Sequence, residues 1–353
     1  MPYPDLKLEP DFARLEAVFA RRVPDRVPFI ELFVDEPVMV AVRGAPFSSD
    51  ADGYARDLAE YYYRMGYDYV PCATSFGFPY KSTAVADTAA LAMRERAWMD
   101  ENRGMVETWE DFDRYPWPTP TDECYRPIEY AARYLPEGMK LIPHGPGGVL
   151  ENVMWVMGYG PMSYAMADEP ELVQAMFDRV GERLVKVFDE IASHEAVGAV
   201  FLGDDMGFKT QTMMAPEAMR KYVFPWQRKI AEAVHAHGKP FLLHSCGNLE
   251  SVMDDLIDYV GIDGKHSFED VIMPVAEAKR RWGDRTAILG GVDVDVLCRA
   301  TAEEVAARTR EILEACMPGG GYALGSGNTV TNYMPVENYL AMLEEGRRHG
   351  VYA

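Results

Sequence analysis

The segment His244-Ser245-Cys246-Gly247 places an imidazole and a thiol two residues apart. Groups at this spacing just past a strand can point the same way and bind one cation. A soft sulfur with a borderline nitrogen favours zinc over magnesium or calcium. The same residues also fit a packed histidine and a buried thiol beside a glycine turn. The spacing therefore leaves a zinc site and a structural turn as alternatives.

Several carboxylates accompany this motif. Glu31 interrupts the apolar run PFIELF, and a charge buried there needs a partner or a cation. We therefore expect Glu31 to join His244 and Cys246 as a metal ligand. Asp204 and Asp205 are adjacent, so only one of them should face the site, because neighbours along a strand point to opposite sides. We expect Asp204 to be catalytic, with capping of the following segment as the alternative.

Two further segments carry polar groups. His266 and Glu269, in KHSFED, fit either a hydrogen-bonding network or contacts with a substrate, and we expect both to be catalytic. The turn Gly325-Ser326-Gly327-Asn328 could hold an anion on its backbone amides, or serve only as a turn. We expect its first three residues, Gly325, Ser326 and Gly327, to bind a cofactor and Asn328 to take part in catalysis.

Short apolar runs alternate with amphipathic stretches, which is the pattern of parallel βα units. The predicted strands are 27–33, 68–73, 140–145, 198–203, 239–244, 259–264, 286–291 and 321–325. The predicted helical stretches are 36–66, 170–194, 217–238 and 301–320. Eight such units favour a (β/α)₈ TIM barrel, in which the carboxyl ends of the strands form the active-site mouth. Most of the polar residues named above follow predicted strands, so we expect them to converge there.

Residues 74–139, rich in Pro, Trp and Asp, look like an irregular insertion after the second strand, near the barrel mouth. They lack the length and pattern of an independent domain. We therefore expect residues 1–353 to form one domain.

The chain has 35 basic and 56 acidic residues, a formal charge of −21. This excess disfavours nucleic acid and anionic membrane surfaces as partners. No apolar run is long enough for a membrane helix, and the N-terminal residues lack the pattern of a signal peptide. Five scattered cysteines do not suggest a disulfide framework. We expect a reduced, cytoplasmic protein, and the sequence leaves its oligomeric state open, a homodimer included.

Five segments carry a resemblance to a known family: GDDMGFKTQTMMAPEAMRKYVFPW, PFLLHSCGNLESVMDDLI, GIDGKHSFEDVI, ILGGVDVDVL and GYALGSGNTV. Together they resemble the uroporphyrinogen decarboxylase superfamily, from about residue 195 to the end of the chain. That superfamily contains true decarboxylases and also zinc-dependent, corrinoid-linked methyltransferases of the methylcobalamin:coenzyme M type.

The resemblance is closer to the methyltransferase branch. The decarboxylases carry an arginine-rich motif, roughly W-M-R-Q-A-G-R, where this chain reads ELFVDEPVMVAV and has no arginine before Arg43. They also carry a histidine where this chain reads GSGN. The methyltransferases carry H-x-C after the fifth strand, which His244 and Cys246 match. Their further cysteine would fall within 325–328, so either a carboxylate, Glu31, Asp204 or Glu269, completes the zinc shell, or the zinc is absent.

The resemblance implies a zinc-dependent methyltransferase that moves a methyl group between a small methylated substrate or thiol acceptor and a corrinoid. No D-x-H-x-x-G segment of corrinoid carriers is present, so the cobalamin should arrive on a partner protein or free in solution, and we expect a corrinoid protein as the partner. One alternative is a metal-free decarboxylase or lyase of a small carboxylic acid, with carboxylates as proton donors. Another is a non-catalytic barrel that binds a small molecule.

Overall fold

A parallel sheet of seven strands forms the centre of the computed structural model, which describes residues 3–4, 9–89, 91 and 95–352. The strands of the described residues, two of which lie outside this sheet, are β1 (Tyr69–Ala73), β2 (Ser82–Ala86), β3 (Glu95–Met99), β4 (Lys140–His144), β5 (Val200–Gly203), β6 (Phe241–His244), β7 (Gly264–His266), β8 (Ala287–Leu289) and β9 (Tyr322–Ala323). The sheet order is β1-β4-β5-β6-β7-β8-β9, and β2 and β3 form a separate antiparallel pair. Each strand of the large sheet thus pairs with the next one along the chain, which confirms the predicted α/β class.

Helices connect most of the strands. They are α1 (Ala13–Phe19), α2 (Glu36–Arg43), α3 (Ala51–Arg64), α4 (Trp109–Arg114), α5 (Arg126–Arg133), α6 (Val149–Met157), α7 (Tyr159–Asp168), α8 (Pro170–Ser193), α9 (Pro216–Tyr222), α10 (Phe224–Ala236), α11 (Val275–Trp282), α12 (Val294–Arg299), α13 (Ala302–Cys316) and α14 (Val336–His349). Short 3₁₀ turns span Asp122–Tyr125 and Glu250–Val252, and a π-helical turn spans Asp255–Val260. Among the described residues, no helix is long and apolar enough to cross a membrane.

The strand register brings three carboxyl ends to one level. Gly203 of β5 pairs with His244 of β6, and His244 pairs with His266 of β7. The residues before these ends are buried and apolar, as in β5, where Val200, Phe201 and Leu202 are all inaccessible. Such continuous apolar runs are typical of strands covered on both faces. Side chains that follow β5, β6 and β7 therefore share one edge of the sheet.

The first predicted strand, 27–33, is not a strand of this sheet. Phe29 within it and Val34 just after it form isolated parallel bridges, with Leu324 and Val330 respectively. Pro28 has no N–H to donate, and the Glu31 N–H donates to the Tyr69 hydroxyl instead of to a backbone carbonyl. A hydrogen bond to a side chain is thus found where backbone hydrogen bonds would join a strand to β1.

Other boundaries also differ from the predictions. Residues 259 and 260 of the predicted strand 259–264 belong to the π-helical turn, which is capped by Gly261 with φ +86°, and β7 begins only at Gly264. The helix predicted over 217–238 is divided into α9 and α10 at Val223. The helix predicted from Thr301 is confirmed, with a capping box between Thr301 and Glu304.

The segment 74–139 has more regular structure than predicted. It contains the β2–β3 hairpin, α4, a 3₁₀ turn and α5. Residues 90 and 92–94 of this segment lie outside the described residues. Thr108 and Asp111 form a capping box that starts α4. This pair is a sequence signal for the start of a helix, and the prediction of an irregular segment overlooked it.

Candidate metal centre

Three side chains at or just after the ends of β5 and β6 meet at the carboxyl edge of the sheet. One ligand atom each of Asp205, His244 and Cys246 lies within 4.8 Å of the other two. His244 Nε2 is 3.6 Å from Cys246 Sγ and 3.8 Å from Asp205 Oδ1. The Cys246 backbone N–H donates to Asp205 Oδ1 over 2.8 Å. The group combines one nitrogen, one sulfur and one carboxylate, a donor set that zinc accepts.

Two glycines bring the loops after β5 and β6 into contact. Gly247 has φ +84°, and a Cβ there would overlap the backbone of Gly207. The Asn248 N–H donates to the Phe208 carbonyl over 2.7 Å, which joins the same two loops. Only glycine allows backbones to approach so closely. The glycine after Cys246 therefore positions the thiol next to the loop that carries Asp205.

Burial sets the protonation of the group. It lowers the pKa of His244 to about 4, which leaves a neutral imidazole with a lone pair at neutral pH. Burial, with the charge of Asp205, raises the pKa of Cys246 above its usual range. A divalent cation would favour the thiolate, because metal binding couples to the loss of the thiol proton. A neutral imidazole, an ionisable thiol and a carboxylate together fit a zinc ion with a fourth position open.

The Cys246 sulfur also receives hydrogen bonds. Asn328 Nδ2 donates to Sγ over 3.0 Å, and Ser267 Oγ donates over 3.6 Å. Ser267 has φ +84°, unusual for a residue other than glycine. The buried Lys265 ammonium, whose pKa burial lowers to about 8, donates to the carbonyls of Ser245 and Ser267 over 2.8 and 3.1 Å. The two hydrogen bonds to Sγ suit a sulfur that carries negative charge.

Asp204 lies apart from this group. Its buried carboxylate accepts the N–H groups of Val149, Leu150 and Glu151 at the start of α6, over 2.9, 3.3 and 3.0 Å. Gln227 Nε2 donates to it over 2.8 Å. Burial raises the pKa of Asp204 to about 6 although these four donors oppose the rise. The structure thus gives Asp204 a helix-capping environment and brings Asp205 to His244 and Cys246.

Glu31 is also outside the group formed by the three potential ligands. It is inaccessible to solvent, and burial raises its pKa to about 8. Its carboxyl group accepts hydrogen bonds from the Ser326 N–H over 2.7 Å and from the Ser326 hydroxyl. The Gly327 N–H donates to the Val292 carbonyl over 2.6 Å. Two amides of the turn 325–327 thus have partners within the protein, and a Cβ at Gly325 would strike Ile30.

The remaining predicted residues border the group. His266 Nδ1 is 2.8 Å from His244 Nδ1, and His266 is fully buried. Glu269 and Asn328 line a cavity of about 470 Å³, together with Lys209 and Asp293. Asn328 also contacts Cys246 and so links this cavity to one of the potential metal ligands. His266 thus contacts His244, Asn328 contacts Cys246, and Glu269 shares the cavity with Asn328.

Sequence reasoning missed some residues of this region. Asp205 could have been chosen over Asp204 only from the hydrogen-bond donors around each, which the sequence does not reveal. Lys265 and Ser267 flank His266, and no motif marks them. Glu151 lies in the first turn of α6, and burial with the charges of Asp205 and Asp204 raises its pKa well above the usual range. Its closeness to Asp205 depends on the packing of α6 against the loop after β5.

A known protein family matches most of the chain. Residues 106–349 match the family described as Uroporphyrinogen decarboxylase (URO-D). The chain belongs to this family. The URO-D match includes all three potential metal ligands and both segments that surround the Cys246 sulfur.

Relatives of two kinds share sequence with this URO-D chain. A uroporphyrinogen decarboxylase from Anaeromyxobacter dehalogenans is 25% identical over 194 residues, which cover 53% of this chain and 51% of the relative. The methylcobamide:CoM methyltransferase MtbA from Methanosarcina acetivorans is 25% identical over 165 residues, 46% of this chain and 41% of the relative. The chain thus spans about half the length, or less, of these curated relatives.

Solved structures extend the likeness to the whole fold. A methyltransferase from Methanosarcina mazei superposes with a TM-score of 0.71 at 18% identity, covering 96% of this chain and 99% of the other. A putative vitamin-B12-independent methionine synthase from Listeria monocytogenes gives a TM-score of 0.51 at 11% identity, with 98% of each chain covered. At these identities the comparisons concern the fold alone.

Proposed function

We propose that this URO-D family member is a zinc-dependent methyltransferase that moves a methyl group between a small substrate and a corrinoid carried by a separate protein. The observation that carries the proposal is the group of Asp205, His244 and Cys246, with its ligand atoms within 4.8 Å of one another. These three residues would hold the zinc and leave one position open. When bound, zinc would act as a Lewis acid and hold a substrate thiol as thiolate or polarise a methylated oxygen or nitrogen.

The chain's own residues orient this centre and shape its approach. Asn328 and Ser267 donate to Cys246 Sγ and hold the sulfur in place. Asn328 and Glu269 line the cavity of about 470 Å³, which has room for a small substrate next to the centre. The chain therefore supplies binding and orientation, while the corrinoid supplies the cobalt that exchanges the methyl group.

The surroundings of Arg43 disfavour uroporphyrinogen as the substrate. Arg43 lies 3.4 Å from the Asp57 carboxylate, donates to the Pro46 carbonyl and stacks over the Phe47 ring. It is the first arginine after 27–33, and these contacts occupy its guanidinium. A porphyrinogen with many carboxylates needs cations that are available to bind them. We expect no turnover of uroporphyrinogen by the purified protein; formation of coproporphyrinogen would contradict this part of the proposal.

One observation favours a second candidate function. Burial, with the neighbouring charges of Asp205 and Asp204, raises the pKa of Glu151 well above its usual range and so favours the protonated carboxylic acid. Such a group could donate the proton that replaces carbon dioxide in a metal-free decarboxylation of a small carboxylic acid. Activity that persists after a chelator has removed all metal would favour this second candidate.

The proposal includes the architecture of the chain. We propose that the segment 27–34, bridged to Leu324 and Val330, completes the sheet as the eighth position of a closed (β/α)₈ barrel. In this arrangement residues 1–353 form one domain, and 74–139 covers the mouth as an insertion. The protein would work in the cytoplasm with a corrinoid protein as its partner.

Metal content tests the central proposal. Wild-type protein, expressed with zinc and purified without chelator, should hold about one zinc per chain. Cys246→Ser should lose the zinc and, with it, the transfer of methyl groups from free methylcobalamin to coenzyme M or other small thiols. Cys298→Ser is the matched control, because Cys298 is a half-buried thiol on α12 outside the group of potential ligands.

The two variants separate the outcomes. If both remain folded, zinc content measured by mass spectrometry should fall in Cys246→Ser and stay unchanged in Cys298→Ser. Corrinoid absorbance follows methyl transfer, since loss of the methyl group changes the visible spectrum. A wild-type protein that transfers methyl groups without any bound metal would leave the proposed centre without a role.

A further inference from the structure

A second imidazole lies directly behind His244. His266 Nδ1 is 2.8 Å from His244 Nδ1, and the two ring centroids are 5.1 Å apart. His266 is fully buried at the end of β7, with its ring edge-on to Phe201 at 5.7 Å. Two facing ring nitrogens at this distance share a single hydrogen, so one ring donates and the other accepts. Which ring donates decides the state of His244 Nε2, the atom that faces Cys246 and Asp205.

The far side of His266 decides between the two arrangements. Its Nε2 is buried and has no partner of good hydrogen-bond geometry among the described residues. The backbone carbonyl of Ser326 lies on this side of the ring and opposes the fall in the pKa of His266 that burial causes. Both Nε2 and the Ser326 carbonyl oxygen lie within 3 Å of the position that a Cβ at Gly290 would occupy. An acceptor in this position favours a hydrogen on His266 Nε2, which leaves His266 Nδ1 as an acceptor.

We propose that His266 is a positioning residue that accepts a hydrogen bond from His244 Nδ1 and thereby keeps the His244 Nε2 lone pair directed at the metal position. In the reverse arrangement, His244 would carry its hydrogen on Nε2 and could not act as a ligand without first changing tautomer. A fixed tautomer and ring orientation is what an outer partner of a ligating histidine generally supplies. Here the partner is another neutral imidazole in place of a carboxylate, so it adds no charge to the buried site.

The inference rests on the proposed zinc centre, but its test reads metal affinity and does not depend on methyl transfer. His266→Asn keeps an acceptor, because the asparagine Oδ1 occupies the place of the histidine Nδ1. His266→Gln is its matched control, since the glutamine amide reaches the place of Nε2 and leaves the His244 Nδ1–H unpaired. His266→Leu removes both positions.

Zinc affinity is measured by competition with a chromophoric chelator, and the cobalt(II) absorption spectrum reports the geometry of the ligands. We expect His266→Asn to bind zinc within about threefold of wild type, and His266→Gln and His266→Leu to bind about 10- to 100-fold more weakly. The cobalt spectrum of His266→Asn should match wild type. If His266→Leu does not fold, the difference in zinc affinity between the asparagine and glutamine variants still tests whether His244 needs an acceptor at residue 266.

The outcomes also separate this inference from the proposed function. A wild-type protein that binds no zinc would overturn both. Zinc binding by wild type with equal affinity in His266→Asn and His266→Gln would overturn only the role of His266. Weak binding in both variants would also overturn it, because the ring itself and not its acceptor would then be required.

Discussion

Asp204 and Asp205 are adjacent, and their substitution by alanine should have opposite consequences. Asp204 accepts four hydrogen bonds inside the protein, three of them from the first turn of α6. Asp205 accepts the Cys246 N–H and lies 3.8 Å from His244 Nε2. We expect Asp204→Ala to lower the free energy of unfolding and keep the zinc, and Asp205→Ala to lose the zinc and keep most of the stability.

The magnitude for Asp204→Ala follows from its donors. Loss of an N-terminal cap typically costs about 0.5–2 kcal/mol, and each buried donor left unpaired costs about 1–3 kcal/mol. The vacated space allows water to pair with some of the four N–H groups. We therefore expect a net loss of about 3 kcal/mol, less than the total stability of most domains. For Asp205→Ala, one lost hydrogen bond at a partly exposed site predicts about 1 kcal/mol.

Urea unfolding followed by circular dichroism measures both losses, with zinc content determined on the same samples. The measurement belongs at about pH 7.5, where Asp204 is ionised, since its folded pKa is raised to about 6. An Asp204→Ala protein of wild-type stability that had lost its zinc would refute the assignment. Retention of zinc by Asp205→Ala would refute it equally.

Three further predictions concern single side chains. Glu31 has a folded pKa raised to about 8, so the native state holds this proton where the unfolded chain has released it. Wild type should therefore lose stability relative to Glu31→Gln as pH rises from about 4.5 to about 8, and parallel stability curves would contradict this. Asn328→Ala removes the N–H that reaches Cys246 Sγ and should weaken zinc binding about 10-fold in chelator competition. Thr301→Ala removes the cap of α13 and should lower the free energy of unfolding by about 1 kcal/mol, with zinc content unchanged.

The sheet could be predicted because buried parallel strands appear in the sequence as short, continuous apolar runs. Six of the eight predicted strands, those over 68–73, 140–145, 198–203, 239–244, 286–291 and 321–325, contain an observed strand. The two that differ contain residues that disrupt pairing. Pro28 lacks a donor in 27–33, and Gly261 ends a π-helical turn within 259–264. Convergence of His244, Cys246, His266 and Asn328 followed from strand ends alone, since parallel strands end on one edge.

The roles of the carboxylates could not be predicted in the same way. The sequence around an acidic residue that follows a strand does not show whether its carboxylate caps a helix, pairs with a turn or binds a cation. The N–H groups that bind Asp204 come from α6, more than fifty residues earlier in the chain. The donors to Glu31 come from Ser326, 295 residues later. Such long-range partners depend on the packed fold, so they cannot be predicted from the local sequences PFIELF or GDDMGF.

The availability of lone pairs separates the carboxylates that the sequence grouped together. Both oxygens of Asp204 and of Glu31 accept hydrogen bonds from buried donors, so a cation would have to displace those donors and leave them unpaired. The Asp205 carboxylate accepts the Cys246 N–H, and that bond brings the carboxylate towards the sulfur. A cation at this position would gain the thiolate, the imidazole and the carboxylate without breaking a buried network. The proposed zinc shell contains Asp205 because a cation can bind there without leaving buried donors unpaired, and not because Asp205 is close to a strand end.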